Sequence, residues 1–242
     1  MKRKYSILYL FLFLSSFCYG AGQKVLFEIG KQDNSAAEFA LYPDRHEAFL
    51  AKFSGVKPFY VGYSTAERHW PYALPGPLDG WGGGGYWAGY HPRHFPVIYF
   101  NVEKAKAKKG DCTFSLFLTG VNNKKETKVR IEINGHRIEK DINGTDGDEV
   151  LKKGASGNPQ EIRMTFPVDW LEEGMNKIQL GTIKGSWMVF DCLRLETPVL
   201  FQLGKAYSSL IRRVEAAPFE YQLQDGKRVQ PVLIDMIQQD AA

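Results

Sequence analysis

Residues 113–135 read TFSLFLTGVNNKKETKVRIEING, and this pattern decides the fold class. Apolar and polar residues alternate over residues 113–118 and again over 128–133, which is the period of a β-strand with one buried face. An Asn-Asn pair follows the first run, and an Asn-Gly pair, a strong turn signal, follows the second. The segment therefore predicts two β-strands bounded by turns.

Similar short runs, rich in Val, Ile, Phe, Tyr and Thr, recur along the rest of the chain. The predicted strands are residues 24–29, 58–61, 97–102, 113–119, 128–133, 161–167, 177–180 and 187–195. Long amphipathic helices are absent from the pattern, and residues 169–173 predict one short helical turn. Eight short strands separated by turn signals predict an all-β fold, an antiparallel jelly-roll β-sandwich.

The first 22 residues have the pattern of a secretory signal peptide. Residues 2–4 are basic, residues 5–17 are mainly apolar, and small residues follow at positions 20–22. The apolar run is too short to cross a bilayer as a mature helix. We expect cleavage after Gly20 or Gly22, a secreted or periplasmic protein, and no membrane span in the mature chain.

The formal net charge of +4 belongs largely to this signal. Removing residues 1–22 takes away three positive charges and no acid, so the net charge falls to +1. A nearly neutral chain gives no argument for nucleic-acid binding. We therefore expect no nucleic-acid partner.

The chain has three cysteines. Cys18 offers a lipidation site as an alternative to simple secretion, but Phe17 is bulky where a lipobox has a small residue. Cys112 and Cys192 lie in predicted strands, and an exported protein can oxidise such a pair where the geometry allows it. The alternative, which we favour, is two separate buried thiols.

The predicted organisation has three parts: the signal at residues 1–22, a β-sandwich at 23–196, and a β extension at 197–242. The extension contains strand-like runs at 209–214, 219–223 and 228–234, with Asp225-Gly226 between the last two, as in a hairpin. A lone hairpin is marginal in water. The extension therefore either packs on the sandwich or begins an incomplete second β-domain, and we favour the second.

Residues 70–92 read WPYALPGPLDGWGGGGYWAGYHP and concentrate aromatic residues and glycines. Three of the five tryptophans, three tyrosines and seven glycines lie here. A segment so rich in Gly and Pro is a loop rather than a strand or helix. Large rings on a loop either fill one end of a core or form a platform for a ligand.

Two ordered blocks of sequence carry a resemblance to a known family. The first block comprises FEIGKQD (27–33), SAAEF (35–39), FYVGYS (59–64), WPY (70–72) and VIYF (97–100). The second comprises IEINGH (131–136), GD (147–148), Gly154, PVDWLEEGMNKI (167–178) and SWMVFDCLRLE (186–196). Over roughly residues 25–196 the chain resembles the carbohydrate-binding-module-like third domain of rhamnogalacturonan lyases (polysaccharide lyase family 4), found in exported glycan-degrading proteins of Bacteroidetes.

The resemblance implies a jelly-roll sandwich that binds a polysaccharide or oligosaccharide of pectin or rhamnogalacturonan type, beside a catalytic domain of a longer parent. It does not imply lyase activity, because the catalytic lysine and histidine of that family lie on a separate domain with no counterpart here. Trp70 and Tyr72 belong to the matching pattern and are expected in the scaffold. Trp187 either packs in the core or faces a ligand, and we favour the core.

Aromatic rings bind sugars by stacking on their apolar C–H face, while polar groups at the rim bind hydroxyls. An Arg or Lys would pair with the carboxylate of an acidic sugar. The candidate carbohydrate-binding residues are Asp79, Trp81, Tyr86, Trp87, Tyr90, His91 and Arg93. The alternative is that these rings cap the core and the chain is a structural spacer of a larger lyase or glycosidase.

Catalysis by this chain alone lacks a sequence signature. A small polysaccharide lyase would need a base, for which His91 with Arg93, or Tyr86, is available. Hydrolysis would need a carboxylate pair such as Asp79 and Asp191. We expect no catalytic residues here, and keep a lyase or glycoside hydrolase as the alternative.

Metal-binding patterns are also weak. The histidines have no zinc spacing. Residues 143–148 resemble part of a calcium loop, but the remaining oxygen ligands are missing, and a solvated turn is the commoner role. We expect no cofactor, with calcium at this loop as the alternative.

Overall fold

A sandwich of two five-stranded sheets is followed by two small two-stranded sheets in a computed structural model, which describes residues 22–53, 58–84, 95–103, 109–206 and 209–238. The strands are β1 (Gln23–Gly30), β2 (Phe59–Tyr60), β3 (Ala73–Leu74), β4 (Val97–Val102), β5 (Asp111–Val121), β6 (Thr127–Ile133), β7 (His136–Ile142), β8 (Gln160–Pro167), β9 (Gly174–Lys184), β10 (Met188–Pro198), β11 (Ser209–Ala216), β12 (Tyr221–Gln222), β13 (Arg228–Val229) and β14 (Val232–Gln238). The short helices are α1 (Phe49–Phe53), α2 (Ala66–His69) and α3 (Asp148–Lys153).

The first sheet has the order β1-β10-β5-β8, with β3 also pairing with β10, and the second has the order β2-β4-β9-β6-β7. All pairings are antiparallel except that of β2 with β4. The two sheets enclose one apolar core, in which Phe27 of the first sheet contacts Phe100 of the second at 5.1 Å between ring centroids. The predicted antiparallel β-sandwich is confirmed.

Each of the eight predicted sandwich strands is present, and most are longer than predicted. Strand β7 was missed because its sequence, HRIEKDI, places charged residues on both faces of an exposed edge strand. The helical turn predicted at 169–173 is a 3-10 helix at Val168–Trp170. The short helices α1, α2 and α3 were not predicted, since four to six residues are too few to show a helical period.

Trp70 and Tyr72 lie in the core, as predicted. Trp70 is 1% exposed and meets the rings of Phe59 and Phe190 edge-on, at 6.1 and 5.9 Å between centroids. The Tyr72 hydroxyl donates a hydrogen bond to the backbone oxygen of Leu151 at 2.7 Å, and burial raises the Tyr72 pKa. These contacts tie the segment that begins at Trp70 to the sandwich.

Cys112 and Cys192 are separate buried thiols, as favoured above. Cys192 on β10 pairs with Phe117 on β5, five residues from Cys112. At about 3.4 Å per residue this places the two cysteines roughly 17 Å apart. A disulfide needs Cα atoms within about 7 Å, and burial raises the pKa of both thiols to about 12.

The C-terminal strands form a separate ribbon. Strand β11 pairs with β14, and β12 pairs with β13 around a turn in which Gly226 has φ +84°, so the predicted hairpin is confirmed. Several of its described apolar side chains are exposed, among them Val214, Phe219, Tyr221, Val232, Ile234 and Met236. Whether this ribbon belongs to a second domain stays a prediction.

The predicted signal peptide covers residues 1–22, of which 1–21 lie outside the described residues. Within the described ranges, no helix has the length and apolarity required to cross a membrane. Cleavage and export therefore stay predictions.

Candidate functional site

A cleft of about 290 Å³ opens between the loops that join the strands. Its walls come from the 3-10 helices His46–Ala48 and Gly80–Gly82, from α3, and from the loop between β9 and β10. Asp79 and Trp81, two of the predicted binding residues, line this cleft.

Trp81 is half-buried and is held by two other rings. It meets His46 edge-on at 5.2 Å and Phe49 edge-on at 5.7 Å between centroids. The turn that carries it depends on glycine, because a Cβ on Gly82 would lie 2.3 Å from the Pro75 side chain, and Gly83 has φ +75°. Packing thus fixes Trp81 in place while part of its surface stays accessible to a ligand.

The carboxylate of Asp79 is fixed by two donors. The backbone N–H of Gly76 donates to Oδ2 at 2.8 Å, and the Ser186 hydroxyl donates to Oδ1 at 2.7 Å. Burial raises the pKa of Asp79 to about 6, although both hydrogen bonds oppose this shift. Asp79 is therefore a fixed acceptor whose charge changes near neutral pH.

Trp187 forms the floor of the cleft and is 2% exposed, so its predicted place in the core is confirmed. Beside it, the carboxylate of Asp148 pairs with Lys124 at 2.9 Å. The Lys124 hydrogen bond, more than any other contact, lowers the pKa of Asp148. A partly exposed ion pair and a buried aromatic ring thus line the same cleft.

His46 was not predicted as part of the site. Burial lowers the pKa of His46, so its imidazole is neutral at pH 7 and packs on Trp81 as an aromatic ring. No motif surrounds this histidine in the sequence, and a 3-10 helix of three residues brings it to the cleft beside Trp81.

The remaining predicted binding residues have no described position. They lie within residues 85–94, outside the described ranges: Tyr86, Trp87, Tyr90, His91 and Arg93. Their part in binding stays a prediction. For the same reason the His91, Arg93 and Tyr86 lyase alternative has no structural account.

Within the acidic loop at 143–148, Asn143 and Thr145 are exposed as in a solvated turn, but Asp146 is only 4% exposed. Its Oδ2 accepts the Val121 N–H at 2.9 Å, and its Oδ1 accepts the backbone and side-chain N–H groups of Asn158, both at 2.9 Å. These bonds join the loop of Asp146 to the end of β5 and to the loop that contains Asn158. Among the described residues no group of three or more His, Cys, Asp or Glu is placed to hold a metal ion, and calcium here stays a prediction.

Asp191 has its own structural partners. Its Oδ1 accepts the N–H groups of Asp33 and Ser35 at 3.1 and 3.2 Å, and burial raises its pKa. Asp79 is held instead by Gly76 and Ser186, at the cleft. The two carboxylates suggested above as a hydrolytic pair thus organise different loops.

Comparisons with known proteins agree with the fold. The family model described as "CBM-like: Polysaccharide lyase family 4, domain III" matches residues 25–195, well over half of the chain. Among curated proteins, none matches the sequence.

Several solved structures are similar at low identity. One is a family 35 carbohydrate-binding module from Cellvibrio japonicus, with 13% identity, covering 64% of this chain and 89% of that one, at a TM-score of 0.36. Another is a family 35 module from an environmental isolate, with 17% identity, 48% and 82% coverage, and a TM-score of 0.30. An exo-β-1,3-galactanase from Phanerochaete chrysosporium has 14% identity, 42% and 20% coverage, and a TM-score of 0.29. None of these similarities is strong enough to indicate a ligand.

Proposed function

Since the chain belongs to the CBM-like family that forms domain III of polysaccharide lyase family 4, we propose that it is a secreted carbohydrate-binding module that holds sugar in the cleft at Trp81. The observation that carries this proposal is the half-exposed Trp81 ring, fixed by packing beside the carboxylate of Asp79. A fixed ring and a fixed acceptor are the two elements that sugar recognition requires.

The cleft carries both hydrogen-bond donors and acceptors, which suits the hydroxyl groups of a sugar better than a ligand with a single charged group. Asp79 accepts hydrogen bonds, while Lys124 and Lys152 donate them and Glu47 adds another acceptor at the rim. The volume of about 290 Å³ is at the lower end of small-molecule sites. We therefore expect the cleft to hold one or two sugar residues of a longer chain.

The glycan class we propose is pectic, of rhamnogalacturonan type, because the family match is to a domain of that lyase family. The chain is exported by residues 1–22 and works beside a catalytic domain of a longer parent protein. We propose no catalytic step, since the match is to domain III alone.

Affinity electrophoresis in gels that contain pectin, rhamnogalacturonan, galactan or cellulose tests this proposal. We expect retardation by a pectic glycan, and a loss of about tenfold in affinity in Trp81→Ala, which corresponds to the loss of one ring contact. Trp170→Ala is the matched control, because Trp170 is also half-buried but stacks on His136 and Phe166, away from the cleft.

The outcomes separate the alternatives. If no glycan retards the wild-type protein, carbohydrate binding is wrong and the structural-spacer alternative gains. If pectic glycans retard wild type and Trp81→Ala equally, the protein binds sugar but the cleft is not the site. If the chain alone released unsaturated uronate, detected by its absorbance, the result would instead support a lyase.

A further inference from the structure

A second hollow, of about 270 Å³, lies on the solvent face of the second sheet. On β6 the side chains of Val129, Ile131 and Ile133 are buried in the core, so Arg130 and Glu132 lie on the opposite, outer face. This alternation makes the hollow part of the sheet surface rather than of the loops that form the cleft.

Strand register places the polar groups of the hollow in two adjacent rows. Arg130 lies opposite Gly181 of β9 and Glu139 of β7. Glu132 lies opposite Gln179 of β9 and Arg137 of β7. Neighbouring strands are about 4.8 Å apart, so Arg130, Glu132 and Gln179 are near neighbours on the sheet face, and all three line the hollow.

An aromatic ring completes the hollow. Phe95 lies directly over Gly181, where a Cβ would come 2.2 Å from two carbons of the ring. Only glycine at position 181 leaves room for this ring on the backbone of β9. Phe95 is half-buried and lines the hollow together with Arg130.

Arg130 has donors that its own ion pair does not use. Its Nε and Nη2 atoms both contact Oε1 of Glu139, at 2.8 and 2.7 Å. The planar guanidinium has a second fork, formed by Nη1 and Nη2, which fits a second carboxylate. Glu132 is paired with Arg137 at 2.7 Å, so its negative charge is balanced beside the hollow.

We propose that this sheet-face hollow, formed by Phe95, Arg130, Glu132, Arg137 and Gln179, is a second sugar site that takes a uronic acid residue. The sugar stacks on Phe95, its carboxylate binds the Nη1–Nη2 edge of Arg130, and its hydroxyls bind Gln179 and Glu132. This inference rests on the proposed function and deepens it, because it assigns the acidic sugars of the glycan to the sheet face and leaves the cleft to neutral residues.

NMR titration of the full-length ¹⁵N-labelled protein tests the inference directly. The probes are trigalacturonate and, as the neutral control, galactotriose. We expect trigalacturonate to shift the Gln179 side-chain amide and the backbone amides of Gly181 and Glu132, and we expect galactotriose to leave them unmoved.

Variants test the role of the arginine. Arg130→Gln should weaken trigalacturonate binding about tenfold, the size expected for one partly exposed charge-assisted hydrogen bond. Arg163→Gln is the matched control, since Arg163 is an exposed, ion-paired arginine on the outer face of the other sheet. Its affinity should equal that of wild type, and both variants should fold, because exposed ion pairs contribute little to stability.

The possible results separate the two proposals. Shifts confined to the Trp81 indole and the cleft would overturn the sheet-face site and leave the proposed function intact. Shifts confined to the sheet face would support this inference and remove sugar binding from the cleft. No shift with either sugar would overturn the inference, and a glycan panel without any retardation would overturn the proposed function as well. Equal weakening of trigalacturonate binding in Arg130→Gln and Arg163→Gln would mean that both arginines act through general electrostatics, which contradicts a specific site at Arg130.

Discussion

Trp70 and Trp81 lie eleven residues apart in one aromatic segment, yet they have different surroundings. Trp70 is 1% exposed between Phe59 and Phe190, whereas Trp81 is half-buried at the edge of the cleft. Trp70 precedes β3, which pairs with β10, while Trp81 lies in a 3-10 turn outside both sheets. The difference teaches that backbone pairing, and not aromatic content, separates scaffold rings from rings available to a ligand.

Replacing Trp70, the scaffold ring of this comparison, should have the largest effect on the free energy of unfolding. Trp70→Ala is expected to lower the free energy of unfolding by about 3–5 kcal/mol, the usual cost of removing a buried tryptophan. Urea denaturation measures it. Trp70→Phe is the control and should cost less, because it keeps a ring and removes a buried N–H for which no hydrogen-bond partner is described. A loss below 1 kcal/mol for Trp70→Ala would show that this ring does not support the core.

Replacing Trp81 should show the opposite balance. Trp81→Ala is expected to lower the free energy of unfolding by only about 1–2 kcal/mol, because the ring is half-exposed, while affinity for a pectic glycan falls about tenfold. Urea denaturation and affinity electrophoresis on the same samples measure both. The spacer alternative predicts the reverse, a loss of several kcal/mol with no change in ligand behaviour.

The burial of the scaffold tryptophans could be predicted from the sequence, whereas the surroundings of Trp81 could not, and the reason is physical. Trp70 and Trp187 belong to strand-associated patterns, so their burial could be predicted. The other wall of the cleft includes His46, which lies in a three-residue 3-10 helix, a segment too short to show a period. Asp146 looked like a surface turn residue because the partners that hold it, Val121 and Asn158, are 25 and 12 residues away in sequence. Tertiary contacts of this kind leave no local signal.

Asp79 gives a further prediction for the cleft, which concerns how the stability of the protein depends on pH. Its folded-state pKa is about 6, above the ordinary aspartate value of 3.8, so between pH 4 and 6 the folded protein binds more protons than the unfolded chain. The contribution of Asp79 to stability is therefore present at low pH and is lost as pH rises through 6. We expect a loss of about 1 kcal/mol, less than the full shift implies, since the cleft is open to water.

Asp79→Asn isolates this effect. An asparagine can keep both contacts, because its oxygen accepts the Gly76 N–H and its amide donates to the Ser186 hydroxyl oxygen. The free energy of unfolding of wild type minus that of the variant should fall between pH 4 and 6 in urea titrations. A flat or rising difference would show that Asp79 is not desolvated in the folded protein.

A third aromatic environment gives the smallest expected effect. Phe219 in the C-terminal ribbon is 48% exposed and contacts Tyr221 edge-on at 5.3 Å. If the ribbon adds nothing to the sandwich core, Phe219→Ala should change the free energy of unfolding by less than about 0.5 kcal/mol, as exposed substitutions usually do. Urea denaturation beside Trp70→Ala measures the contrast. A loss near that of Trp70→Ala would mean that the ribbon packs on the sandwich, because only burial against a core gives one ring such a contribution.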